Sequence, residues 1–241
     1  MTRIYEALEQ AHASLAGQQP NVVSFIEDTS STYSPTLIAK LRGLYRQIGK
    51  NSTAEDGKLV QFIAARQGTG TSRISRALAT ICVTEMGKRA LIIDADTSGP
   101  HFSHYGIEPL CTWADTLRRK QPLENACYKV SRAGIHIMKA FRESQTSATI
   151  LESADFTLRL AALRRYFDLI IIDSAAAEDS SDGIDISTAV DGTLLVVGAE
   201  KTRWQVVQDT RDRIEERGGN VIGVLLNEVR FHIPTPIYDR L

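Results

Sequence analysis

Cysteine is scarce in this 241-residue chain, with Cys82, Cys111 and Cys127 the whole complement. An odd number without a C-x-x-C pair excludes a disulfide framework and fits reduced thiols in a cytoplasmic protein. Long apolar runs are missing as well: none approaches the ~20 residues that a spanning helix needs. The N-terminus also lacks the basic-then-apolar order of a secretory leader. Work at a membrane would therefore require recruitment by a partner. Nor is there an excess of basic charge, since 28 Lys and Arg face 29 Asp and Glu for a formal net charge of −1. No field of one sign advertises nucleic-acid binding. His101, His104 and Cys111 lie close together, but no fourth ligand accompanies them, so they read as surface-loop residues rather than a metal site. Internal repeats and low-complexity tracts are absent too.

What is present is a chain with 43% hydrophobic residues, enough to bury one substantial core. Two parts are expected, an N-terminal helix and linker over 1–35 and a compact domain over 36–241. Ile4, Leu8, Ala11 and Leu15 give the first helix an apolar face suited to docking on protein. Residues 17–35 are polar and turn-rich. Leu37, Leu41, Leu44 and Ile48 then line one face of a second helix whose apolar side is expected in the core. Beyond residue 50, strand and helix patterns alternate. Strands are expected at 59–64, 89–94, 134–139, 168–173, 192–198 and 220–226, and helices at 71–86, 112–119, 148–166 and 202–217. In the last helix Trp204, Val207 and Ile214 are spaced to pack on a sheet. The expected fold class is α/β, a doubly wound, mostly parallel sheet flanked by helices.

The segment Ala-Arg-Gln-Gly-Thr-Gly-Thr-Ser at 65–72 follows an apolar strand and opens a helix. That context aims backbone N–H groups and a helix N-terminus at an anion. It matches the phosphate-loop pattern G-x-x-x-x-G-K-[ST] except at the lysine. Gly68, Thr69, Gly70, Thr71 and Ser72 are the candidate nucleotide-binding residues, with Ser72 where a hydroxyl would reach Mg²⁺. Thr71 stands in the place of the lysine. A hydroxyl cannot supply the cation that supports charge moving in phosphoryl transfer.

Two more strands deliver carboxylates to the same rim. Residues 90–96 read A-L-I-I-D-A-D, carrying Asp94 and Asp96, and residues 167–174 read F-D-L-I-I-I-D-S, carrying Asp173. Ligands of open parallel sheets sit at the C-terminal strand ends. Ser72, Asp94 and Asp173 are hard oxygen donors of the kind Mg²⁺ takes. They form the candidate metal set.

The order of Gly-rich loop, I-I-D-A-D and I-I-I-D-S resembles the bacterial tyrosine kinases of capsule and exopolysaccharide synthesis. The likeness runs over about residues 34–229, and the opening M-T-R-I-Y-E-A-L-E-Q-A resembles the leader of some of these kinases. They belong with the partitioning and septum-site ATPases to one P-loop NTPase group. The resemblance implies ATP or ADP with Mg²⁺ as cofactor and a polysaccharide co-polymerase-type membrane protein as partner. It makes the loop a Walker A motif, Asp94 and Asp96 the Walker A′ pair, and Asp173 Walker B, with Asp96 orienting an acceptor hydroxyl. It places Asn227 where the group often contacts adenine.

The departures are as informative. Besides Thr71, Ser98 replaces an arginine after the A′ pair, and Ala175-Ala176 replace a proline pair after Walker B. The family's oligomerisation motif, E-x-x-R-x-x-R, falls on Ala39, Arg42 and Tyr45, so only its middle arginine remains. The C-terminal tyrosine cluster that accepts phosphate is reduced to Tyr238. Arg66 occupies the partitioning ATPases' signature-lysine position and could act as an arginine finger. Arg73 follows Ser72 but points around the helix.

Three readings stay open. The first is a degenerate kinase-like scaffold, assembling only to low order and recruited from the cytoplasm to the inner membrane. The second is an active autokinase that uses Arg66 and Tyr238. The third is a partitioning-type ATPase, which predicts two lysines this chain lacks.

Overall fold

The computed structural model describes residues 33–52, 56–130, 134–142, 154–199 and 201–228. The N-terminal helix expected near 4–15 and Tyr238 lie outside them. The described chain opens with α1 (Pro35–Asn51), whose first turn is capped by Ser34, its hydroxyl accepting from the Leu37 N–H at 3.2 Å. Pro35 at the first helical position forfeits an N–H that would have no partner there.

Seven strands follow: β1 (Lys58–Ala64), β2 (Ala90–Ala95), β3 (Cys127–Lys129), β4 (His136–Lys139), β5 (Leu169–Ser174), β6 (Gly192–Gly198) and β7 (Val221–Asn227). They form one sheet in the order β3-β4-β2-β5-β1-β6-β7. All neighbours are parallel except β3 with β4. Between them run α2 (Thr71–Met86), α3 (Pro100–Tyr105), α4 (Trp113–Arg118), α5 (Ala154–Leu163), α6 (Asp182–Ile186) and α7 (Trp204–Glu216). This is the α/β architecture that the alternating pattern predicts.

Strands buried on both faces read as continuous apolar runs, which is why β2 and β5 show no polar alternation. Their residues still divide by parity. Val60, Phe62, Ile92 and Ile171 pack with Leu44, Ile48, Leu78 and Ile81 of α1 and α2. Leu59, Leu91, Ile93, Ile170 and Ile172 face Trp113, Phe156, Leu160 and Leu163 of α4 and α5. Ile63, Leu195 and Val197 meet Val207 and Ile214 of α7. Trp204 corrects an expectation: it is 60% exposed. It stands at the first position of α7, a turn ahead of the residues that meet the sheet.

Gln61 is a polar residue at the centre of β1 and fully buried. Its amide donates to Ser174 Oγ at 2.8 Å, and its carbonyl oxygen accepts from Thr193 Oγ1 at 2.9 Å. Both are on the flanking strands, so the buried amide is satisfied and fixes register across β5, β1 and β6.

Candidate functional site

The C-terminal ends of β1, β2 and β5 bring three segments to one rim. The loop between β1 and α2 turns through Gly68 and Gly70, with φ of 72° and 83°. Gly70 is the N-cap of α2, in the left-handed region where a side chain is strained. A Cβ there would also collide with the Asn227 amide. Asn227, at the end of β7, donates from Nδ2 to the Thr69 carbonyl at 2.7 Å. It braces the loop from beneath. The Thr71 hydroxyl lies 3.2 Å from the Thr69 hydroxyl, so the residue in the lysine's place bonds within its own loop.

Arg66 is exposed, its Nε 3.9 Å from Glu178 Oε2. The other oxygen of Glu178 accepts from the Gln67 N–H at 2.9 Å. Glu178 therefore offers Arg66 an intramolecular partner and ties the loop to the segment after β5. Arg73 is exposed on α2.

Asp94 and Asp173 are opposite each other on adjacent strands and buried to 0% and 1% exposure. Burial pushes the Asp94 carboxyl up to about 6, against the opposing pull of His101 and Lys139. Its Oδ1 accepts from the Asp96 N–H at 3.3 Å and its Oδ2 from the His101 N–H at 3.2 Å. Asp173 Oδ2 lies 2.7 Å from His101 Nε2, and Oδ1 3.5 Å from Ser75 Oγ. The carboxylate can only accept, so the ring nitrogen donates. His101 Nδ1 faces Arg76 Nη1 at 3.5 Å.

The reading of His101 and Cys111 as surface-loop residues is thereby corrected. Gly99 (φ 66°) and Pro100 turn the chain at the start of α3, and His101 enters the core with no exposure. Cys111 is buried as well, and its N–H donates to the Tyr128 hydroxyl at 3.0 Å. Its thiol is pushed up by burial. The three cysteines are free thiols.

Asp96 is half-buried, and its Oδ1 accepts from both the N–H and the hydroxyl of Ser98, at 2.9 and 2.7 Å. Lys139, 6% exposed at the end of β4, donates to the carbonyls of Asp96 and Thr97 at 2.7 and 3.0 Å. Beside this loop a cleft of about 620 Å³ is lined by Ser98, Phe102, Ser103, Lys139 and Arg142 among others, and none of its lining comes from the phosphate loop. His101, Lys139 and Glu178 are the rim residues that motif reading missed.

The oxygen donors of Ser72, Asp94 and Asp173 match magnesium in kind. Two of the three already have hydrogen-bonding partners within the chain. Both oxygens of Asp94 hold backbone N–H groups, and Asp173 holds an imidazole. Among the described residues, no group of three or more His, Cys, Asp or Glu side chains is placed to hold a metal ion.

Of the three positions aligned with the oligomerisation motif, one is turned into the core and one is engaged at the surface by its own chain. Tyr45 is buried under the Lys58 ammonium, 3.6 Å from the ring centroid. Arg42 donates to the Glu85 carbonyl at 2.8 Å within the same chain. Ala39 is exposed. No helix among the described residues is long and apolar enough to cross a membrane.

No protein-family model matches the sequence. Its relatives are bacterial tyrosine kinases. Over 188 residues it is 25% identical to the tyrosine-protein kinase CpsD of Streptococcus agalactiae, covering 76% of this chain and 80% of that one. Over 194 residues it is 27% identical to the tyrosine-protein kinase ptk of Acinetobacter johnsonii, covering 80% of this chain and 26% of that protein. Among solved structures, it resembles the kinase domain of the Escherichia coli tyrosine kinase ETK with a TM-score of 0.72 at 20% identity, over 82% of this chain and 78% of that one. A plasmid partition protein from Borrelia burgdorferi follows with a TM-score of 0.57 at 18% identity, over 77% and 86% of the two chains. The Mycobacterium smegmatis cobyrinic acid a,c-diamide synthase, solved with an ATP analogue and magnesium, gives 0.55 at 20% identity over 70% of each. The fold is that of P-loop kinase domains and partition-type proteins.

Proposed function

We propose that this chain is a tyrosine-kinase-like scaffold or regulator of capsule or exopolysaccharide assembly, which keeps the P-loop fold but not competent phosphoryl transfer. The observation that carries the reading is Thr71. It takes the lysine's place, and its hydroxyl is 3.2 Å from Thr69 rather than offering a cation to a phosphate. The backbone from Gly68 to Ser72 still forms the loop-to-helix turn that binds anions without side-chain charge. ATP or ADP then binds weakly, through those amides.

The exopolysaccharide setting rests on the family resemblance, which also supplies the partner, a polysaccharide co-polymerase-type membrane protein that recruits the chain to the inner membrane. Assembly of low order follows from the early helix, where Tyr45 serves the core and Arg42 serves Glu85. Asp96 remains the residue to orient an acceptor hydroxyl. Arg66 is the candidate substitute cation, although Glu178 stands within reach of it.

Calorimetric titration with ATP and Mg²⁺ tests this. The unaltered protein is expected to bind weakly or not at all, and Thr71→Lys about tenfold tighter or more, the worth of one charge-assisted phosphate contact. Tight, Mg²⁺-dependent binding by the unaltered chain would overturn the proposal.

A further inference from the structure

A buried carboxylate needs a positive or hydrogen-bonding partner, because desolvating it alone is costly. In a nucleotide site that partner can be a divalent cation. Here one residue supplies it twice. The His101 ring donates to Asp173 Oδ2 at 2.7 Å, with both side chains within 1% of full burial. The same residue's backbone N–H donates to Asp94 Oδ2 at 3.2 Å. The second oxygen of Asp94 is taken by the Asp96 N–H. His101 thus engages an oxygen on each of the two carboxylates that would face a metal, and α3 holds it there from a turn set by Gly99 and Pro100.

We propose that His101 stands in for the divalent cation beside Asp173, so that any nucleotide this chain binds is held without a metal. The inference rests on the proposed nucleotide-binding loop only for its second test, since the histidine–carboxylate pair exists without nucleotide. His101 is a positioning residue: it fixes Asp173 and touches no phosphate. Its replacement would leave Asp173 short of a partner and open to a cation.

Two measurements on the full chain test this. The first is proton NMR of the His101 ring N–H, which is expected as a downfield, exchange-protected resonance, absent in His101→Gln. It should neither shift nor broaden when Mg²⁺ or paramagnetic Mn²⁺ is added, with or without ADP. Absence of the resonance, or its loss on adding either cation, would overturn the proposal whether or not ADP binds.

The second is ADP affinity by calorimetry in EDTA and in Mg²⁺. The unaltered protein and His101→Gln, which keeps an N–H donor at similar reach, should show the same affinity in both. His101→Ala should bind about tenfold more tightly with Mg²⁺ than without, the size of effect typical when a metal-site neighbour changes. Magnesium-enhanced binding by the unaltered chain would overturn the proposal. If ADP does not bind at all while the resonance persists through the Mn²⁺ titration, the nucleotide reading fails and the His101 assignment stands.

Discussion

The two rims of the sheet handle the same residue type in opposite ways. At the N-terminal rim, Asp191 sits just before β6 and collects Arg164 (2.6 and 2.8 Å), the Leu59 N–H (3.0 Å) and the Ser52 hydroxyl (2.7 Å). Burial alone would raise its carboxyl, but these donors outweigh that and hold it below the usual range. Asp168, before β5, is likewise held low by Arg89 despite its burial. At the C-terminal rim, Asp94 is pushed up to about 6, and Asp173 is paired with a histidine rather than an arginine. The lower rim is organised for folding, with permanent cations matched to carboxylates. The centre of the upper rim carries Asp94 and Asp173, buried carboxylates that no arginine satisfies, as sites of ligand chemistry do, while Asp115 at its edge keeps Arg118 and Arg142. Within that rim His101 bonds to Asp94 and Asp173, and Ser98 bonds to Asp96.

The largest expected effect tests the lower rim. Arg164→Ala leaves a largely buried carboxylate without its charged partner and should destabilise the fold by about 3 kcal/mol or more, read from urea unfolding. The sign with pH follows from the lowered carboxyl. The Asp191 contribution is complete above ~pH 4 and is lost as pH falls through its depressed folded value, so the variant's acid limb should be shallower. An unchanged midpoint would break the contrast between the rims.

A smaller effect belongs to Asp94, and its sign is opposite. Its folded value is raised to about 6 from 3.8. Its contribution is therefore fully present below ~pH 4 and lost as pH rises through about 6, a cost on the order of 3 kcal/mol at neutral pH. Asp94→Asn gives up one backbone hydrogen bond and removes this dependence. Its thermal midpoint should gain on that of the unaltered chain as the pH rises from 4 to 7. Parallel midpoints across that range would show that Asp94 is not strained by burial.

The smallest effect is expected on the exposed face of α7. Arg211 and Glu215 pair at 2.7 Å across one helical turn, but solvent screens them. Arg211→Ala should leave the unfolding midpoint within error. A clear loss would mean that pairing of charges, rather than their burial, separates strong sites from weak ones here.

Most of the scaffold was legible because it is periodic. Helix 71–86 and strand 192–198 coincide with α2 and β6, and β1, β2, β5 and β7 lie within a residue of their expected positions. Missing from the sequence reading were β3, α3 and α6. Each is too short for periodicity to register and exists because a longer neighbour holds it, as β4 holds β3. The placement of Gly68, Gly70, Asp94 and Asp173 at one rim was legible, because their spacing follows from strand ends. That of His101 was not legible, because a histidine two turns of chain away from a motif gives no sign of which side will be buried. Tyr45 shows the same limit: its alignment position suggests an interface, and its helix face puts it in the core.

The most direct test of the central claim is incubation of the purified chain with radiolabelled ATP and Mg²⁺, alone and with the cytoplasmic tail of a co-polymerase partner. A missing cation acts on the barrier itself, and by analogy with losing one transition-state donor the rate should fall by ~10²–10³-fold or more. The account predicts no appreciable phosphotyrosine, at Tyr238 or elsewhere. Robust phosphotyrosine that vanishes in Asp96→Ala or Arg66→Ala would contradict it.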